Sequence, residues 1–273
     1  MTARPFEREA RTAPWSLRLA LLPIPLLIVA AVMHRYGQIE TTPLFVVIAI
    51  AWAVALLALV LGALAMRAIW VDGLLGFGPA LAGSLLAIAI LAMPGLVVEE
   101  MIRLPRLADI STDMDDPPAL GSPVPVARPD ADFADRAAQM AAYPDILPRH
   151  YPVSPERVFD AAMSLVNSRG WVVSSTTSPD LENADASIDA VAKTFILALP
   201  VDVAIRILAD DDGSLVDMRS ASRIGSHDLG DNARRIRSFF ADLDAALQGV
   251  TEPAEGADET DLPPLPPVSP RSR

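Results

Sequence analysis

The chain has 273 residues, 52% of them hydrophobic, and a formal net charge of −12. Residues 1–100 hold six Arg against six acidic residues, whereas residues 101–273 hold sixteen basic against twenty-eight acidic, so the whole negative excess lies in the second part. That balance argues against nucleic acid as a partner, because binding phosphates needs clustered positive charge, and the absence of Cys excludes disulfides, thiolate metal sites and thiol nucleophiles together.

Three apolar stretches come first: Leu17 to Met33, Leu44 to Met66 and Phe77 to Val98. Each approaches or exceeds the roughly 20 residues needed to cross about 30 Å of hydrocarbon. The second and third carry no ionisable residue, so neither has the polar face of a globular surface helix. Pro23 and Pro25 interrupt the first, and a second apolar stretch follows it without a small-residue cleavage site, which separates it from a signal peptide. Residues 1–100 are therefore predicted to form a membrane domain of three transmembrane helices. Arg4, Arg8, Arg11, Arg18 and Arg67 fall on one side of it, and Arg35, Arg103 and Arg106 on the other. This bias predicts a cytoplasmic N-terminus in a bacterial inner membrane and a periplasmic C-terminal domain. With no ionisable group at membrane depth, the helices read as an anchor rather than a transport path. Their small residues, Ala51 and Ala55 in the second and Ala80, Ser84 and Ala87 in the third, suit packing among the three helices ahead of seating a partner helix.

Residues 101–150 read as an extended acidic, Pro-rich linker that could lie along the following domain, with "DISTDMDDPP" at 109–118 and "YPDI" at 143–146. The acidic run lacks the glycine and terminal Glu of a calcium loop, so no metal site is assigned to it. A helix is predicted over 154–169, with Ser154 as N-cap, Pro155 at the first position, Val158, Ala162 and Leu165 on one face and Gly170 as the stop. Four strands follow: "WVVSST" (171–176), "ASIDAVA" (186–192), 201–207 and 215–220. A hairpin turn between Asp211 and Asp212 would pair Ile205 with Met218, Ile207 with Val216 and Arg206 with Asp217. The last helix is predicted to start at Asp228 as N-cap, with Asp231 near the third position and Leu229, Ala233, Ile236, Phe240, Leu243 and Leu247 as its apolar stripe. The expected architecture is α+β: three transmembrane helices, then helix, four-stranded antiparallel sheet and helix over 151–248, then a disordered Pro-rich tail, 249–273.

Five arginines fall within the nineteen residues from Arg219 to Arg237. One reading makes Arg219 and Arg223, with the loop amides around Gly225, an anion site at a helix N-terminus for a lipid phosphate, a carboxylate or an acidic partner segment. The other pairs the arginines with Asp228, Asp231 and the acidic linker, so that they pin strand, loop and helix together. The second is favoured because Asp228 and Asp231 already occupy the anionic positions. Arg219, Ser220, Ser222, Arg223, Gly225, Asp228, Asn232 and Arg235 form the candidate anion or partner surface.

The run "RSASRIGSHDLGDNARRI" (219–236), together with "DISTDMDDPP", "YPDI" and "GWVV", resembles the bacterial and plastid family known as domain of unknown function 1499, over roughly residues 100–248. That family usually has paired acidic residues ahead of its "IR" dipeptide, where this chain has only Asp202 before Ile205 and Arg206. The resemblance implies a fold but no catalytic residue or cofactor. The three His, at 34, 150 and 227, sit in no metal motif, His227 reads as a solvent-exposed loop residue, and Ser220 and Ser222 have no evident activating base. An enzyme is therefore not expected. A membrane-tethered interaction or assembly module, docked on a membrane-protein complex, is the favoured expectation. A lipid-binding or small-ligand domain, with room left by Ala190 and Ala192, is the alternative.

Overall fold

A computed structural model describes residues 8–121, 133–179 and 185–248, so the expectation of a disordered 249–273 tail falls outside the described residues. Four helices open it: α1 (Thr12–Leu21), α2 (Pro23–Arg35), α3 (Thr41–Asp72) and α4 (Phe77–Arg103). Together they give three helical segments long and apolar enough to cross a membrane, because α1 and α2 form one segment from Thr12 to Arg35. Pro23 and Pro25 both fall in the first turn of α2, where backbone N–H groups have no carbonyl to reach within their own helix.

Small residues let these helices meet. Ala51, Ala55, Ala58, Ala65, Ala80 and Ala87 are fully buried, so the bundle uses its alanines for its own packing. Ser16 Oγ donates to Ala58 O at 2.9 Å, joining α1 to α3. A Cβ on Gly83 would lie 2.6 Å from the Leu17 nitrogen, so α1 and α4 approach backbone to backbone there.

The α+β expectation holds for the rest, but the sheet has six strands rather than four. They are β1 (Asp109–Ser111), β2 (Arg149–Tyr151), β3 (Val172–Thr177), β4 (Ala186–Lys193), β5 (Pro200–Asp210) and β6 (Gly213–Ser222), with α5 (Phe133–Ala142), α6 (Pro155–Ser168) and α7 (Asp231–Leu247) between and after them. The order is β1-β6-β5-β4-β3, with β2 also on β6, and every pair is antiparallel. The two added strands come from the segment read as linker. They share one edge of β6, β1 along 219–221 and β2 along 214–216. Three-residue strands are too short to show alternation, so only the free edge of β6 makes them strands. Gly213 is needed at this edge: its φ is +147°, and a Cβ there would sit 2.1 Å from Tyr151 O.

The β5–β6 register is as the sequence predicts, Ile205 opposite Met218, Arg206 opposite Asp217 and Ile207 opposite Val216. One face of the sheet is apolar: Ile188, Ala190, Ala192, Val203, Ile205, Ile207, Val216 and Met218 are buried under α6 and α7. Ala190 and Ala192 belong to this packed core, where their small size lets a helix approach. In α6 the buried positions are Val158, Ala162 and Val166, with Leu165 at the margin. In α7, Phe239 joins the predicted stripe fully buried, its ring 5.9 Å from that of Trp171.

The start of α7 corrects the sequence reading. Leu229 and Gly230 both have left-handed backbone, at φ 55° and 72°, so the chain coils once more before the helix begins at Asp231, and Leu229 is not on its stripe. Asp228 still caps the helix from outside it. Its Oδ1 accepts from the Gly230 amide at 3.0 Å and its Oδ2 from the Asn232 amide at 2.7 Å. On the outer side of β1, the Gln139 amide donates to Ser111 O at 2.6 Å and accepts from Ser111 N at 3.3 Å, as a neighbouring strand would.

Candidate functional site

Strand alternation puts Asp202, Arg206, Asp217 and Arg219 on the sheet face away from the helices. Asp217 is 1% exposed and Asp202 4%, so charge is buried on a face that a two-layer domain would leave wet. The acidic run after β1 covers it. Arg206 donates to Asp217 Oδ2 at 2.9 Å, Asp116 Oδ2 at 2.7 Å, Asp113 Oδ2 at 3.2 Å and the Asp116 carbonyl at 2.8 Å. Asp113 also accepts the amides of Asp115 and Asp116, which folds the run into a tight turn facing the guanidinium. Arg219 forks onto both oxygens of Asp109 at 3.0 and 2.7 Å and reaches the Pro118 carbonyl at 3.2 Å. Arg223 places two donors on Asp202 Oδ1 at 2.9 and 2.7 Å. Further along, Gly121 N donates to Asp189 Oδ1 at 3.1 Å.

Burial opposes the Arg206 charge, yet the hydrogen bonds to Asp217 and Asp116 outweigh it and hold the guanidinium above its ordinary pKa. Thr112 clamps the same spot. Its N–H donates to Met218 O at 3.0 Å and its Oγ1 accepts from Met218 N at 2.9 Å, continuing the β1 pairing by one residue.

The sheet divides the predicted surface in two. Arg219 lies with the acidic run and Arg223 with Asp202 on the same face, whereas Ser220, Ser222, Asn232 and Arg235 meet on the α7 side. Asn232, fully buried, joins three elements. Its Oδ1 accepts from Ser220 Oγ at 2.9 Å and Arg235 at 2.8 Å, while its Nδ2 donates to the Ala108 carbonyl at 2.9 Å and Ser222 Oγ at 3.2 Å. Arg235 and Arg234 pair with Asp231, and Arg237 forks onto Asp145 with both contacts at 2.6 Å. Each of the five arginines from 219 to 237 thus has a carboxylate partner within the chain. Gly225 stands apart, exposed at the tip of the loop with φ +83°.

Burial pushes the Asp228 carboxyl above its ordinary value, against the two amides that pull it down. The Arg237 hydrogen bond holds Asp145 below its ordinary value. His227 is half-buried rather than solvent-exposed. Its Nδ1 accepts from the Leu229 amide at 3.0 Å, which leaves Nε2 as the protonated, buried nitrogen, without a hydrogen-bond partner among the described residues. His150 lies 3.7 Å from Asp210 and His34 contacts Leu197 O at 2.7 Å, so the three imidazoles stand in three separate places.

Among the described residues, the domain is joined to the helical bundle at two places. Residues after α4 run directly into β1: Ser222 N donates to Ala108 O at 2.8 Å, Asp228 N donates to Leu107 O at 2.9 Å, and Arg106 donates to Ser226 Oγ at 2.9 Å. At the end of α2, Arg35 donates to the Phe195 carbonyl at 2.8 Å beside the His34 contact. The sequence marks the acidic run as a partner of the arginines, but Asp202 stands out there only beside the Ile205-Arg206 dipeptide, and Gln139 not at all. The mutual facing of Arg206 and Asp217 was the signal available for the polar face.

Fold and geometry define a class: an α+β domain sealed by its own acidic segment and carried on three apolar helices. Residues 109–243 match the model of the family described as "Protein of unknown function (DUF1499)", and this domain belongs to that family. No curated protein and no solved structure matches the chain.

Proposed function

We propose that this protein is a membrane-anchored, non-catalytic interaction or assembly module of a bacterial inner membrane. The N-terminus is cytoplasmic and the α+β domain is periplasmic, following the arginine bias of the helix flanks. Nucleic acid is not a partner of so acidic a domain.

The observation that carries this reading is the internal pairing of the arginine-rich region, from Arg219 with Asp109 to Arg237 with Asp145. A cluster whose charges are answered by the chain's own carboxylates is scaffolding for a rigid surface rather than an open anion site. The apolar flanks of the three helices remain exposed, with at most 28% of any span's most apolar window buried within the chain, and are free for lipid or for partner helices. Native mass spectrometry of full-length protein, gently extracted from its own membrane, tests the proposal. Co-migrating protein subunits are expected. A monomer carrying one discrete small mass, lost in the Arg219→Gln/Arg223→Gln double variant, would replace assembly by ligand capture. An alkaline phosphatase fused after residue 248 is expected to be active; an inactive fusion would reverse the topology.

A further inference from the structure

The turn joining β4 to β5 breaks the usual rule for hairpin tips. Turns favour Gly, Asn, Asp and Ser, but residues 194–199 read Thr-Phe-Ile-Leu-Ala-Leu, and Ala198 takes up the left-handed backbone, φ 54°, that a glycine would adopt freely. The turn is well tied without one. Thr194 N donates to Leu199 O at 2.9 Å, Leu199 N donates to Thr194 Oγ1 at 3.0 Å, and Ala198 N donates to Thr194 O at 3.1 Å. Its order serves to present Phe195 and Ile196, which are 87% and 62% exposed. Two adjacent apolar side chains held outward by a rigid turn need a cover.

Position identifies that cover. The tip hangs from the last two residues of α2: Arg35 Nη1 donates to the Phe195 carbonyl at 2.8 Å, and His34 Nδ1 donates to the Leu197 carbonyl at 2.7 Å while its Nε2 faces Thr41 Oγ1 at 3.2 Å. Immediately after α2 comes its C-cap Tyr36, 75% exposed, the residue type of a membrane interface. The tip therefore sits level with the end of an apolar helix, where hydrocarbon gives way to headgroups. Charge agrees with position. Residues 190–201 contain no Asp or Glu although the second part of the chain has twenty-eight, and exposed Lys193, the only Lys of the chain, stands beside the tip. A lysine there reaches lipid phosphate while its stem lies along acyl chains.

We propose that the 194–199 turn is a second membrane contact, with Phe195 and Ile196 inserted at the headgroup–acyl boundary of the leaflet in which α2 ends and Lys193 at the phosphates. It holds the α+β domain upright: β5, eleven residues at about 3.3 Å each, carries the opposite turn roughly 35 Å away from the lipid. The proposal rests on the helices spanning a bilayer, and its test separates the two claims.

Because the chain has no Cys, single-cysteine variants of the full-length protein take an environment-sensitive dye at one site each. Leu57→Cys on the lipid side of α3, Ile196→Cys at the tip and Asp211→Cys at the opposite turn are reconstituted in phosphatidylcholine–phosphatidylglycerol vesicles. Emission is read with lipid nitroxides near the headgroup or near the chain end, and with aqueous iodide. At Ile196 the expected result is a blue-shifted emission, loss of signal with the shallow nitroxide and protection from iodide; Asp211 should stay open to iodide, and Leu57 should be quenched by the deep nitroxide. Iodide quenching at Ile196 equal to that at Asp211 overturns the proposal, as does quenching by neither reagent, which would mark a protein contact. If Leu57 responds to neither nitroxide, the membrane-spanning reading itself fails, and the proposal with it.

Discussion

The two faces of the sheet are covered by different physics. Under α6 and α7, Ile205, Met218, Phe239 and their neighbours exclude water by shape and area, without directional demands beyond packing. On the other face, Arg206, Arg219 and Arg223 meet Asp113, Asp116, Asp217, Asp109 and Asp202 through aimed hydrogen bonds. A buried ion pair contributes little net stability, because desolvation consumes most of the attraction. What it adds is register, since a one-residue slip would bring Arg206 out of line with Asp217.

The largest effect should come from the apolar face. Phe239→Ala empties a fully buried ring site and is expected to destabilise the domain by about 3–5 kcal/mol, with little dependence on salt, measured by thermal melting of the detergent-solubilised chain. Arg206→Met should cost about 3 kcal/mol by leaving Asp217 buried and unpaired, and adding Asp217→Leu should restore most of the loss. Failure of that rescue would mean that the pair is worth more than the comparison allows.

Smaller changes sharpen the contrast. Arg219→Gln removes the fork onto Asp109 and should cost about 1.5–3 kcal/mol, with faster protease cleavage around residues 112–121 than in the β4–β6 strands. Arg237→Gln breaks a pair whose partners keep half their surface in water and should cost no more than about 1 kcal/mol. The pH dependence should have opposite signs at two carboxylates. Asp145, held below its ordinary value near 3.8, contributes stability above that value and loses it as pH falls, so Asp145→Asn should destabilise at neutral pH and converge on the parent in acid. Asp228, raised by burial, contributes below 3.8 and loses its contribution as pH rises through its folded value. Asp228→Asn should therefore gain in melting temperature relative to the parent between acid and neutral pH.

Much of this design is legible in residues. The three apolar helices follow from length and apolar composition, and the β5–β6 register follows from alternation together with Arg206 facing Asp217. The less legible parts have tertiary causes. Nothing local in Asp109–Ser111 or Arg149–Tyr151 says strand until the free edge of β6 is present. The early N-cap at Asp228 failed because Leu229 adopts a backbone that its type rarely takes. Phe239 escaped the stripe because α7 is covered on two sides, by the sheet and by Trp171. In sequence the arginines look like one surface, but consecutive strand residues point to opposite faces, and Ser220 is separated from Arg219 for that reason alone.

Membranes crowd their proteins into two dimensions, where an unpaired strand on each copy would meet another at every lateral collision. The β1 and β3 edges of this sheet are fitted against such zippering. At β1 the side-chain amide of Gln139 occupies the Ser111 N–H and C=O that an incoming strand would seek. At β3 the pairing slips between Val173 and Ser175, and a bulged border offers no straight template for a second copy. Gln139→Ala would open the first border and leave the Ser111 N–H and C=O to an incoming strand.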